Sequence, residues 1–168
     1  MSDPIVTVDQ LVDYMSEIEL DAQQKRGARL VLDGIEGQVR RFLNRPILPL
    51  EVTETPAVEP STGILLTRHT PVLSVTPQEG ITLEDGLLYA AGWVGAPVTY
   101  TAGLDEDDLK AVRLVILRVA AREMQNKHDD THSNTGIGTA QTAPPVGEGL
   151  QDEDRAQLRP LRKRVLVR

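Results

Sequence analysis

Apolar residues recur at helical spacing at the start of the chain. Val8, Leu11, Val12 and Met15 fall on one face and predict a short amphipathic helix over residues 8–16. Thr7 and Gln10 stand three apart at its start, the spacing of a capping box in which each side chain meets the other's backbone N–H, with Val6 and Leu11 as the hydrophobic staple. A second stripe, Ala28, Leu32, Ile35, Val39 and Phe42, predicts a long helix. It begins at Asp21, where Asp21 and Gln24 repeat the cap pattern, and stops by Arg45, because Pro46 disfavours helical backbone in its predecessor. Arg26, Arg29, Glu36, Arg40 and Arg41 lie largely off the stripe. Gly27, Gly34 and Gly37 each cost this helix about 1 kcal/mol relative to Ala, which reads either as close approach of another element or as simple tolerance.

From Pro46 to Leu104 the period shortens, and prolines punctuate runs rich in Val, Thr, Ile and Leu. Predicted strands are Leu50–Thr55, Gly63–Thr67, Val72–Thr76, Ile81–Leu83, Leu87–Tyr89 and Val98–Thr101. Asp85-Gly86 is a type I′ hairpin signal, since that turn needs left-handed backbone at both central residues. A third helix is predicted over residues 105–126, opened by Asp105-Glu106-Asp107-Asp108 at the positive end of the helix dipole. Its apolar face is broad: Leu109, Val112, Ile116, Val119 and Ala120 form one stripe, widened by Leu114, Val115, Leu117, Ala121 and Met124. Residues 127–150 read as a flexible linker with linker glycines, and residues 151–168 as an arm in which Gln151–Leu158 has room for one or two helical turns. The fold expected is mainly α, an antiparallel helix bundle with a small β insertion and an extended C-terminal arm. Its domain limits are 1–126, 127–150 and 151–168.

The 168 residues suit one ordinary domain plus a tail, and 40% hydrophobic with 26% charged residues excludes wholesale disorder. With no cysteine, disulfides, thiolate metal sites and cysteine nucleophiles are excluded. No signal peptide or membrane-spanning run is legible, so an intracellular, non-membrane protein is expected. The net charge of −7 and the 3% of aromatic residues argue against tracking or stacking on nucleic acid. Residues 151–168 reverse that sign, with six basic and three acidic groups interleaved with Leu158, Leu161, Val165, Leu166 and Val167. Such a mixture suits docking on a partner better than solvation alone. His128 and His132 are four apart and have metal-ligand chemistry, but no HExxH glutamate stands between them and a Gly-rich stretch follows. The acidic quartet at 105–108 is accounted for by capping. His69 stands before Thr70-Pro71 with no nucleophile elbow nearby, so no catalytic constellation, cofactor site or metal site is assigned.

The order of elements resembles the head-to-tail connector proteins of tailed bacteriophages, the adaptors beneath the portal. The residues that carry this are Ile64-Leu65-Leu66-Thr67-Arg68-His69-Thr70-Pro71-Val72-Leu73-Ser74-Val75, Val98-Thr99-Tyr100-Thr101-Ala102-Gly103-Leu104 and Asp108-Leu109-Lys110-Ala111-Val112. The family's usual proline at the start of the third helix is replaced by Asp105-Glu106-Asp107. The resemblance implies a structural virion protein of the neck without enzymatic activity. It would assemble in the host cytoplasm as a ring of about a dozen copies, bind the portal and the stopper or tail-completion protein, and let DNA slide through. On that reading Leu114, Leu117, Ala121 and Met124 meet a neighbouring subunit. Leu158, Arg159, Leu161, Arg162, Lys163, Arg164, Val165 and Leu166 grip the portal. Two other readings stay open: another neck component, or a small nucleic-acid-binding module using the basic tail, whose binding would weaken steeply with salt.

Overall fold

The computed structural model describes residues 3–16, 20–90, 95–132 and 149–162, with side chains along the third helix described as far as Gln125. Among them are four α-helices and seven strands, in three small sheets. The fold is therefore α+β, which corrects the expected helix bundle. The strands form a body of their own, and the first and fourth helices are only eight and seven residues long, too short for bundle members. The chain divides into two compact units, one from Met1–Leu43 and Lys110–Leu161, the other built on Asn44–Leu109.

In the helical unit, α1 (Val8–Met15) opens with the Thr7/Gln10 capping box, at 2.9 and 3.2 Å. The helix α2 (Ala22–Leu43) opens at Asp21, whose carboxylate accepts from the N–H groups of Gln23 and Gln24 at 2.7 and 2.8 Å. It ends at Asn44, which takes the left-handed backbone of a C-terminal cap (φ 51°). Its buried stripe keeps Ala28, Leu32, Ile35 and Val39 but ends on Leu43 in place of the predicted Phe42, which is only half-buried, and it also carries Glu36, buried rather than solvated. The reason is the incoming chain. Ile5 and Val6 donate their backbone N–H groups to Glu36 Oε1 at 2.9 and 3.0 Å, and the Ile5 carbonyl accepts from Arg113 Nε at 3.2 Å. The helix α3 runs from Glu106 to His132, two turns beyond the predicted end. Gly27, Gly34 and Gly37 face open space, so none is a point of close approach.

In the β unit, β1 (Leu50–Glu54), β7 (Val98–Ala102) and β4 (Val72–Val75) form an antiparallel sheet in the order β1-β7-β4. The strand β7 is central and alternates between buried and half-buried positions, as a strand covered on one face does. A two-residue strand that the sequence pattern missed, β2 (Ala57–Val58), pairs with β3 (Leu65–Leu66), and β5 (Ile81–Glu84) pairs with β6 (Leu87–Ala90). Asp85 and Gly86 between β5 and β6 have φ of 49° and 74°, the left-handed pair expected for type I′. Leu65, Val72, Leu88, Val98, Tyr100 and Ala102 are the heart of this unit's core. The Thr70-Pro71 bond is cis. At the exit of β7, a Cβ on Gly103 would lie 3.1 Å from the Leu48 carbonyl and the Pro49 backbone, so only glycine fits without displacing main chain.

Candidate docking surfaces

The helix α4 (Asp152–Leu158) begins where Gln151 donates its N–H to Asp154 Oδ2 at 3.0 Å, and a single 3-10 turn, Arg159–Leu161, ends it. Asp154 and Leu158 are one turn apart on one face, and each is only 1% exposed. Asp154 lies against two cations of α3: Arg118 reaches its Oδ1, and Arg122 reaches Oδ2 at 3.0 Å. Burial alone would raise the Asp154 pKa, but the hydrogen bonds from Arg122, Arg118 and the Gln151 N–H outweigh it and hold the carboxyl below its ordinary range. Arg122 also donates to the Gly149 carbonyl at 2.9 Å, and Arg118 to Gln157 Oε1 at 3.2 Å.

Two residues before α4 are fixed as well. Gly149 (φ 56°) gives its N–H to the buried Glu123 at 3.3 Å and presses against Gln38, so it is a close-approach glycine rather than the linker glycine expected. Leu150 is buried, and its N–H bonds Gln38 Oε1 at 3.1 Å. Residues 149–158 are thus packed against α2 and α3, which corrects the extended arm expected there. Leu158 belongs to the interior, Leu161 is half-buried, and Arg159 and Arg162 are exposed. Lys163, Arg164, Val165 and Leu166 lie outside the described residues.

The predicted neighbour-facing residues of α3 separate in the structure. Leu114 projects, with 53% of its surface exposed; Leu117 and Met124 are half-buried, and Ala121 is buried. On α2, Leu30 is 74% exposed beside a shallow groove of about 220 Å³ bounded by Val31, Gly34, Gln38, Glu123 and Gly149. The helix continues through His128 and His132, whose side chains lie outside the described set, and among the described residues no cluster of three metal-ligating side chains occurs. No described helix is long and apolar enough to cross a membrane.

The β unit carries a polar clasp that sequence reasoning missed. Tyr100 donates its hydroxyl to Glu54 Oε1 at 2.6 Å, the same oxygen accepts the Arg68 N–H at 2.7 Å, and the His69 N–H approaches the Tyr100 oxygen at 3.4 Å. Burial, then the bond to Glu54, pushes the Tyr100 pKa up to about 12. Burial would raise the Glu54 pKa too, but the Tyr100 and Arg68 bonds bring it below its usual value. The clasp ties the Arg68–His69 segment to β1 and β7. Compared with protein-family models and with curated proteins, the chain matches none.

Proposed function

We propose that the chain is a structural component of the neck of a tailed phage, an adaptor that assembles as a ring beneath the portal. The observation that supports this reading most is the joint carried by Tyr100-Thr101-Ala102-Gly103-Leu104. Strand β7 ends at Ala102, Gly103 passes against the Leu48–Pro49 backbone, the Leu104 N–H bonds the Ile47 carbonyl at 3.2 Å, and α3 follows at Glu106. A strand that ends in a Tyr-Thr-Ala-Gly-like turn and leads into the following helix is what the resembling stretch provides in the connector family. The exposed Leu114 offers the adaptor a place to meet a neighbour, and Arg159 and Arg162 offer cations to an acidic portal rim.

The test mixes the full chain with purified portal rings and measures the mass of the complex. A whole-ring increment, lost when Leu114 is replaced by Asp but kept with Leu114→Met, is the expected result. No increment at any ratio overturns the adaptor reading. Binding to a tail-completion protein in its place moves the chain to the tail side of the neck.

A further inference from the structure

Strand β1 is an edge whose outward groups can be named. On the β4 side of β7, the Gly103 N–H bonds the Pro71 carbonyl at 3.2 Å, and the Thr99 carbonyl accepts from Thr76 N–H at 2.9 Å. Odd-numbered residues of β7 therefore turn their peptide groups toward β4, and even-numbered ones turn toward β1. Tyr100 pairs with Val52, Ala102 with Leu50 and Val98 with Glu54. Leu50, Val52 and Glu54 thus spend their N–H and carbonyl groups on β7, while those of Glu51 and Thr53 point away from the sheet. Among the described residues no hydrogen bond reaches these four outward groups, and β1 has no strand on that side. Leu50 at this edge is 44% exposed, and Glu51 is exposed. An open edge of this kind is a template for an added strand.

We infer that the outer edge of β1 is the docking site for this chain's own C-terminal segment, residues 163–168, added as a fourth strand to the sheet β1-β7-β4. Three observations fit that occupant. Val165-Leu166-Val167 is a β-prone run, whereas the rest of the C-terminal region is helix-forming and polar. Six residues extend about 20 Å and β1 about 17 Å, so the lengths match. The charges are opposite: residues 162–168 hold four basic and no acidic groups, whereas residues 47–66 hold three acidic and no basic ones. Set at the centre, Leu166 lies across from Val52, which packs on the unit's core. Either strand direction then puts an arginine, Arg164 or Arg168, across from Glu54. The inference does not depend on the neck reading, because it concerns a tail that pairs within its own chain.

The absence of cysteine makes the test clean. In the full chain, Val52→Cys with Leu166→Cys places thiols at a non-hydrogen-bonded cross-strand pair, where the Cα separation of about 4.5 Å allows a disulfide. Under mild oxidation this pair is expected to close at least tenfold faster than a control pair, Glu79→Cys with Leu166→Cys. Adding Glu51→Pro, which removes one outward donor and leaves the bonds to β7 in place, is expected to slow closure about tenfold. The mass of the product tells a link within one chain, the expected result, from a link between copies, which overturns the inference. Equal rates for the two pairs, or no effect of Glu51→Pro, overturns it. Amide exchange gives a second reading that needs no cysteine: Glu51 and Thr53 should be protected in the full chain and lose that protection with Val165→Pro and Val167→Pro. Protection that survives those changes means another occupant and overturns the inference.

Discussion

Both units bury an acidic side chain, and they satisfy it in different ways. In the helical unit Asp154 is almost wholly enclosed and meets two guanidinium groups, which are themselves partly exposed at 36% and 28%. In the β unit Glu54 is half-buried and meets a neutral phenol and a backbone N–H. Asp154 is thus met chiefly by countercharge and Glu54 by neutral donors, the kind that also reach the buried Glu36 and Glu123 as backbone N–H groups. The glycines vary within each unit: Gly149 of the helical unit presses against Gln38, and Gly95 of the β unit has no close neighbour. Those of α2 face open space, while Gly103 and Gly86 sit against backbone and proline atoms. Both units are thus held by polar contacts between residues distant in sequence, to which the β unit adds tight geometry at Gly86 and Gly103.

The largest expected effect comes from removing both cations of the helical unit. Arg118→Leu with Arg122→Leu leaves Asp154 buried without countercharge and should cost about 3–5 kcal/mol. Chemical denaturation followed separately in each unit would show the loss in the helical unit, with proteolysis opening residues 149–161. In the β unit, Tyr100→Phe removes the donor to Glu54 and should cost about 1–3 kcal/mol. Amide exchange at Arg68 and His69 would show that loss with Asp154 still clamped.

Acid and alkali separate the units further. A depressed carboxyl pKa stabilises the fold above the unfolded value, and that contribution disappears as pH falls through the folded pKa, so acid weakens both Asp154 and Glu54. A raised phenol pKa works in the opposite sense. Its contribution is complete below the unfolded value of about 10 and disappears as pH rises through about 12. Tyrosine absorbance near 295 nm, a general probe of phenolate, should therefore track loss of the Arg68–His69 clasp between about pH 10 and 12 while the Asp154 clamp persists. The smallest effect has the opposite sign: Gly34→Ala, with room for its Cβ, should stabilise the helical unit by about 0.5–1 kcal/mol. Gly103→Ala should destabilise the β unit, because its Cβ meets backbone.

What was legible in the sequence was local. Thr7 with Gln10, Asp21 with Gln24, Asp105 at the head of α3 and the Asp85-Gly86 turn each act within three residues, and each has the predicted geometry. Glu36 was misplaced and Asp154 was not singled out, because their partners are 31 and 36 positions away and nothing in their neighbourhood distinguishes them from solvated acids. Gly149 was taken for a linker residue for the same reason: Gln38, which fixes it, lies on α2. Apart from the two-residue β2, the strands were legible individually, but not that they assemble into a unit with its own core, since β1 meets β7 only after more than forty intervening residues.

The β unit interrupts the helical one in sequence, and this has a consequence for synthesis. All seven described strands of the β unit have been made once Leu109 is reached, while the second half of the helical unit ends some fifty residues later, at Leu161. At about 5–20 residues per second, translation leaves the β unit several seconds to fold first. Its closure, sealed where the Leu104 N–H meets the Ile47 carbonyl, shortens the effective loop between α2 and α3 before α4 exists. The nascent chain would thereby meet the loop-closure entropy of the helical unit early, and Asp154 would arrive at two arginines already in place.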